Sequence, residues 1–132
     1  MNDPCVIGVD GGTEGLRAGV FDLSGKPLAF ASAGYETRFP RPGRAEQDPE
    51  DWWRALGTSV HKAVADAGVT PERIAGIALD TTCCSVVALD AQGRALRPAL
   101  IWMDVRAGAQ ADAIAASGDS ALKVNGGGAG PV

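Results

Sequence analysis

Ile74-Ala75-Gly76-Ile77-Ala78-Leu79 runs for six residues without a polar side chain, set off by Gly68 and Pro71 before it and Asp80 after it. Strands of that kind are expected to be covered on both faces, whereas a sheet open to water on one side shows alternation. The run therefore predicts a strand inside an α/β layered fold, with other strands beside it and helices across its faces.

The preceding residues supply the helix. Asp48 can accept from the amides of a first turn, Pro49 suits the first helical position, and Glu50 and Asp51 favour the positive end of the helix dipole. Trp52, Leu56, Val60, Ala63 and Val64 recur at helical spacing, and Gly68 with Pro71 ends the run, so this helix is expected to bury that stripe on the sheet. Earlier in the chain, residues 5–9 and 16–23 read as strands on either side of Asp10-Gly11-Gly12-Thr13. Residues 27–37 read as a third strand after a turn at Asp22-Leu23-Ser24-Gly25-Lys26, which completes an antiparallel meander. Residues 38–47 hold Pro40, Pro42 and Gly43 and predict an extended loop. Beyond the aliphatic strand, residues 85–89 and 99–102 flank a turn at Asp90-Ala91-Gln92-Gly93 and predict a hairpin, with a second helix over 104–116. The glycine-rich segment 125–131 normally leads into a further element, so the expectation is a domain cut within its length.

Composition narrows the function classes. No apolar stretch of about 18 residues exists for a membrane span, and the first residues lack the basic and apolar regions of a secretory signal. A net charge of -4 with no basic run argues against nucleic-acid and anionic-membrane partners. Cys5, Cys83 and Cys84 make an odd count whose adjacent pair could bridge only through a strained ring, which points to a reducing cytoplasm. Without repeated C-x-x-C spacing and with His61 as the single histidine, a zinc site is not expected. His61 is read as solvated or at the core edge, Trp52 and Trp53 as core, and Cys83 and Cys84 as small residues without redox activation.

Three segments carry chemistry. Asp10-Gly11-Gly12-Thr13-Glu14-Gly15-Leu16-Arg17 sets a carboxylate at a strand end, glycines that let backbone amides approach an anion, a hydroxyl and a cation. It lacks the G-K-[ST] ending of a Walker loop, and a strand rather than a helix follows, so any phosphate cradle here is a β-hairpin. The octapeptide alone fits a tight turn with solvated Asp and Arg equally well. Asp80-Thr81-Thr82-Cys83-Cys84-Ser85 follows the aliphatic strand, where open α/β sheets present ligand groups; it also fits small packing residues with Asp80 capping a turn. Trp102-Met103-Asp104-Val105-Arg106 joins an aromatic platform to a carboxylate and a guanidinium, with Asp104 as sugar ligand or as helix N-cap.

Together these segments resemble the FGGY carbohydrate kinases. The resemblance rests on Asp10-Gly11-Gly12-Thr13 with Arg17, on Gly43-Arg44-Ala45-Glu46-Gln47-Asp48-Pro49 before Trp52-Trp53, on Ile77-Ala78-Leu79-Asp80, and on Pro98-Ala99-Leu100-Ile101-Trp102. Asp80-Thr81-Thr82-Cys83-Cys84-Ser85 is similar to the ribulokinase-type pentulose kinases rather than to glycerol kinases, which carry Arg-Glu there. The resemblance implies a ribonuclease H-like domain of the actin and hexokinase ATPase class, with a mixed sheet and flanking helices. It further implies ATP-dependent phosphorylation of a pentulose or related polyol, with Mg2+. Carried over residue by residue, Asp10 would hold the magnesium through water, Gly11, Gly12 and Thr13 would lie against the phosphates, and Arg17 would stabilise their charge. Thr82, Cys83, Trp102 and Asp104 match positions lining the sugar pocket. Glu14, Gly15 and Leu16 depart from the family pattern, and a carboxylate at position 14 repels a γ-phosphate unless it faces magnesium or solvent. On this reading residues 1–132 are the front part of the first of two domains. The general base lies beyond Val132, the chain alone lacks kinase activity, and the whole cytoplasmic enzyme is a candidate homodimer. The rival reading is a non-enzymatic actin-like nucleotide-binding module, against which the sugar-pocket segments count.

Overall fold

The computed structural model describes residues 3–124; the glycine-rich segment 125–131 lies outside the described residues. The chain divides into two compact units, residues 1–36 with 48–82 and residues 37–47 with 83–132.

In the first unit the predicted meander forms. Strands β1 (Cys5–Gly11), β2 (Gly15–Asp22) and β3 (Pro27–Gly34) pair antiparallel in sequence order. The third strand stops at Gly34, short of the expected residue 37. Asp22 closes the β2–β3 turn by accepting from the Ser24 and Lys26 amides at 2.9 and 3.0 Å, and Gly25 takes the positive φ of +85° that the turn requires. Helix α1 (Pro49–Ala67) then crosses to β5 (Ile74–Thr81), which pairs parallel with β1, giving the sheet order β3-β2-β1-β5. The helix begins as the sequence predicts. Asp48 Oδ1 accepts from the Glu50 amide at 3.0 Å, and Gly68 ends the helix in the left-handed region at φ 63°.

Alternation along the strands decides where the core sits. Cys5, Ile7 and Val9 of β1, Leu16, Ala18 and Val20 of β2 and Ala31 of β3 are buried in one cluster with Ala55, Ala63 and Val69. The expected helix stripe is rotated. The residues of α1 that are fully buried are Ala55, Ser59 and Ala63, at i,i+4 spacing, while Leu56, Val60 and Val64 pack at their margin. Small residues on the central line let the helix approach β2 and β3 closely, and the Ser59 hydroxyl donates to the Leu56 carbonyl at 3.2 Å, so no polar atom is stranded there. Trp52 is half-buried, but Trp53 is 71% exposed and is not the core residue expected. His61 is exposed, as expected.

The aliphatic strand also departs from expectation. Among the described residues β5 has β1 as its partner on one side, and Ile77 and Leu79 are 52% and 57% exposed. The register sets them beside Ile7 and Val9, on the face that α1 covers, but α1 lies over β2 and β3 and stops short of β5.

Gly15 shows how tightly the first hairpin meets β3. A Cβ there would lie 2.9 Å from the Ala33 carbonyl oxygen and 3.1 Å from Gly34 Cα, both backbone atoms that cannot rotate away. Gly15→Ala is expected to destabilise the chain by about 1–3 kcal/mol in urea unfolding; an unchanged midpoint would mean the hairpin can slide off β3 without cost.

In the second unit two expectations hold only in part. The hairpin over 85–89 and 99–102 reduces to isolated bridges, Val86 with Leu100 and Leu89 with Ala95, around the predicted turn at Asp90 to Gly93. Pro98 has no amide to donate, which interrupts the ladder. Instead a short strand β4 (Glu46–Gln47), inside the segment read as loop, pairs antiparallel with β6 (Ala99–Leu100). Helix α2 spans Gly108–Ala116 rather than starting at residue 104, because Asp104 and Val105 are bound to the loop at residues 43–45. Its N-cap is Ala107, so Asp104 does not cap it. A last turn of helix, α3, covers Ala121–Val124.

Candidate functional site

The first unit gathers Asp10, Gly11, Gly12, Thr13, Arg17 and Thr82 around the β1–β2 hairpin. Strand register decides this: Asp10 faces Arg17 across the antiparallel pair and Asp80 across the parallel pair, and Gly11 sits between Leu16 and Thr81. Asp10 and Asp80 thus stand side by side at the carboxyl ends of two parallel strands. Both are exposed. The Thr82 amide donates to the Gly11 carbonyl at 3.0 Å and extends that pairing by one step.

Thr13 and Glu14 form the hairpin tip, closed by the Gly12 amide donating to the Gly15 carbonyl at 3.0 Å. Glu14 is exposed, so its carboxylate meets the solvent condition under which it does not oppose a phosphate. Tyr35, the single tyrosine of the chain, braces this tip. Its hydroxyl contacts the Gly12 carbonyl and lies 3.2 Å from the Gly15 carbonyl, while its amide donates to Glu14 O at 3.2 Å. Burial pushes the Tyr35 phenol above its ordinary pKa, and the Asp10 charge adds to the rise, so it stays a neutral donor at physiological pH. Sequence reasoning missed Tyr35. The available signal was a lone aromatic hydroxyl near the end of the predicted third strand.

Asp10 and Arg17 are both largely exposed, at 64% and 66%, and meet at 3.4 Å between Arg17 Nη1 and Asp10 Oδ2. A pair so open to water contributes little to stability, leaving both groups available to a ligand. They rim an open concavity of about 320 Å³ that includes Gly8, Gly19, Phe21 and Phe30, on the sheet face away from α1. An exposed carboxylate with threonine hydroxyls nearby offers hard oxygen donors, while the backbone amides suit an anion. That suits Mg2+ held through water and shared with phosphate oxygens. Among the described residues no group of three or more His, Cys, Asp or Glu side chains forms an all-protein cage.

The remaining sequence-predicted residues, Cys83, Trp102 and Asp104, belong to the second unit. Cys83 and Cys84 are free, exposed thiols 3.7 Å apart, and Cys84 adopts φ 60°, which a non-glycine residue rarely takes. The Cys83 contact raises the Cys84 thiol above its ordinary pKa, the opposite of an activated nucleophile. Trp102 is half exposed, at 50%.

Asp104 differs from these: it is fully buried. Oδ2 accepts from the Ala45 amide at 2.9 Å and Arg106 Nη2 at 2.6 Å, and Oδ1 from the Arg106 amide at 3.0 Å and Arg106 Nε at 2.8 Å. The Arg106 side chain, ahead of the amides, holds the Asp104 carboxyl down at a pKa of about 2 against the opposing effect of burial. Arg106 in turn reaches Glu46 Oε1 at 2.7 Å, where Arg97 also arrives at 3.2 Å, and its own pKa is raised by the two carboxylates. Glu46 and Arg106 carry the resemblance in sequence, but their pairing across 60 positions left no local signal.

Comparison with known proteins follows the same lines. The sequence profile of the FGGY family of carbohydrate kinases, N-terminal domain, matches residues 5–127. A glycerol kinase of Rhodospirillum centenum is 32% identical over 120 residues, 90% of this chain and 24% of its own. A D-ribulokinase of Saccharomyces cerevisiae is 35% identical over 131 residues, 92% of this chain and 18% of its own. The crystal structure of a xylulose kinase from Rhodospirillum rubrum superposes with a TM-score of 0.82 at 33% identity, covering 89% of this chain and 24% of that one. The chain thus spans about a quarter or less of the length of these relatives. With its ribonuclease H-like sheet and a profile match over nearly its whole length, it belongs to the FGGY family of carbohydrate kinases.

Proposed function

We propose that this chain is the front part of the first domain of an ATP-dependent kinase that transfers the γ-phosphoryl group to a hydroxyl of a pentulose or related polyol. The observation that carries the reading is the Asp10–Arg17 pair beside Asp80 at the strand ends: exposed, weakly bonded to each other, and set at a glycine hairpin braced by Tyr35. Phosphoryl transfer asks mainly for positioning and charge neutralisation, and a carboxylate, backbone amides and a guanidinium at one hairpin supply both. Mg2+ bound with ATP would neutralise phosphate charge there. Arg17 would hold the phosphate oxygens, with Gly11, Gly12 and Thr13 allowing close approach. Thr82, Cys83 and Trp102 would meet the sugar. The exposed face of β5 is where the rest of the domain would pack.

The pentulose assignment is supported by Asp80-Thr81-Thr82-Cys83-Cys84-Ser85, a segment that resembles the ribulokinase-type version and lacks the Arg-Glu of the glycerol-kinase version. An ATP-to-ADP assay of the whole protein carrying this segment, run against ribulose, xylulose, ribitol and glycerol, tests it. Stimulation by one ketopentose, with glycerol giving at least about tenfold lower kcat/KM, is the expected result, since hydroxyl-matched sites discriminate strongly. Preference for glycerol would overturn the pentulose assignment. Polyol-independent ATP turnover would favour the actin-like module instead.

A further inference from the structure

We infer that Asp104 is a positioning residue of the sugar site, one that fixes the corner carrying Trp102 and does not itself touch the sugar. The inference rests on the kinase reading above and deepens it.

Accounting for the carboxylate's lone pairs leads there. A carboxylate offers about four acceptor directions. On Asp104 these meet the Ala45 amide, the Arg106 amide, and Nε and Nη2 of the Arg106 fork, and the residue has no exposed surface. All of these donors lie inside one compact unit, so packing against any further chain cannot bring the carboxylate back to the surface. A sugar hydroxyl would have to displace a charge-assisted bond from a buried carboxylate, which costs more than the hydroxyl bond returns.

The carboxylate grips the loop before β4. Ala45 is buried, and both of its backbone groups are held by the 101–104 corner: its amide donates to Asp104 Oδ2 at 2.9 Å, and its carbonyl accepts from the Ile101 amide at 3.3 Å. The corner is closed on itself by the Asp104 amide donating to the Ile101 carbonyl at 2.8 Å, and the next amide, Val105, donates to Gly43 at 2.9 Å. Ile101 and Asp104, the two ends of the turn, are buried, while Trp102 and Met103 between them are exposed. The corner therefore sets Trp102 on a base fixed at three points, and Arg106 ties that base to Glu46 as well. A stacking platform needs this, because a displacement of about 1 Å in a sugar-holding group is enough to cost a large factor in rate.

The test is a double-mutant cycle in the whole protein with ribulose and xylulose and their monodeoxy analogues as probes. Asp104→Asn, which keeps the shape and an acceptor for Ala45 but loses the charged Arg106 fork, is expected to raise the sugar KM about tenfold, and by the same factor for every analogue. The KM for ATP should stay unchanged. In a Trp102→Ala background the same substitution should change the sugar KM less than about twofold, because its effect passes through the indole. Arg106→Lys, which keeps the charge and loses the fork, serves as the milder variant if Asp104→Asn folds poorly, and should shift KM about threefold in the same pattern. Loss of the effect for one particular deoxy analogue would make Asp104 a direct sugar ligand and overturn the proposal, as would a full effect in the Trp102→Ala background. Hydrogen exchange reads the clamp without activity: the Ala45, Ile101 and Asp104 amides should be protected in the parent and exchange at least about tenfold faster in Asp104→Asn. If the parent phosphorylates no sugar, the kinase reading fails and the sugar role with it. Retained protection in the variant fails the clamp alone.

Discussion

Asp10→Ala is expected to lower kcat of the whole protein by at least about 100-fold, the range seen when one preorganised charge is removed from a phosphoryl-transfer site. Stability should stay within about 0.5 kcal/mol of the parent. The two halves of that expectation come from the same geometry. Asp10 is 64% exposed, and its carboxylate meets Arg17, itself 66% exposed, at only 3.4 Å. Exposed pairs of this kind contribute little to folding, so the carboxylate's cost must be sought in function. Nothing in the β1–β2 pairing depends on the Asp10 side chain, because the register is set by backbone bonds and by the inward residues Val9, Leu16 and Ala18. A steady-state ATP assay paired with a thermal melt separates the two quantities. Retained turnover would remove Asp10 from the phosphate site, and a large loss of stability would recast it as a structural hairpin residue.

How much of this was legible in the sequence depends on the range of the interaction involved. Everything governed by neighbours in the chain could be read: the Asp48 cap and Gly68 stop of α1, the Asp22 and Asp90 turns, and the glycine hairpin between β1 and β2. The candidate phosphate residues were legible for the same reason, since Asp10 and Arg17 become partners through a two-residue hairpin tip. The second unit was read poorly because its contacts are distant. The pairing of β4 with β6 joins residues about fifty positions apart, and the Glu46–Arg106 bond joins residues 60 apart. Composition in residues 38–47 signals loop, and a two-residue strand inside it has no periodicity to detect. The start of α2 was misplaced because Asp104 has the residue type of an N-cap, while its carboxylate is drawn inward by Ala45 and Arg106. Trp53 and β5 share a different cause. Apolar character states that a residue gains from cover, but not which element supplies it; α1 buries its small residues and leaves Trp53, Ile77 and Leu79 exposed.

Acid should unlock the second unit through Asp104, and Asp104→Asn should abolish that response. The folded carboxyl has a pKa of about 2, against an ordinary value of 3.8. A depressed folded pKa means that the unfolded chain binds the proton first as pH falls. The stabilisation is therefore complete above about pH 5, and is lost progressively as pH drops through 3.8 towards 2. A shift of this size corresponds to on the order of 2 kcal/mol, and full burial of the side chain means water does little to screen it. Asp22, Asp90 and Glu72 are also held below their ordinary values, so the parent's acid response has several sources. Comparison with Asp104→Asn at each pH cancels those shared contributions. At pH 7 the variant should be less stable by about 2–4 kcal/mol, because it leaves the Arg106 guanidinium facing an uncharged amide in a site that is only partly open to water. Near pH 2.5 the gap should shrink to about half or less, since the carboxyl is then largely protonated in the unfolded state and most of its contribution to folding is gone. Urea unfolding of both chains at the two pH values measures the four numbers required. A stability gap that stayed constant from pH 7 to pH 2.5 would show that the Asp104 charge is not what holds the 101–106 corner to the Ala45 loop, and that its shape alone suffices.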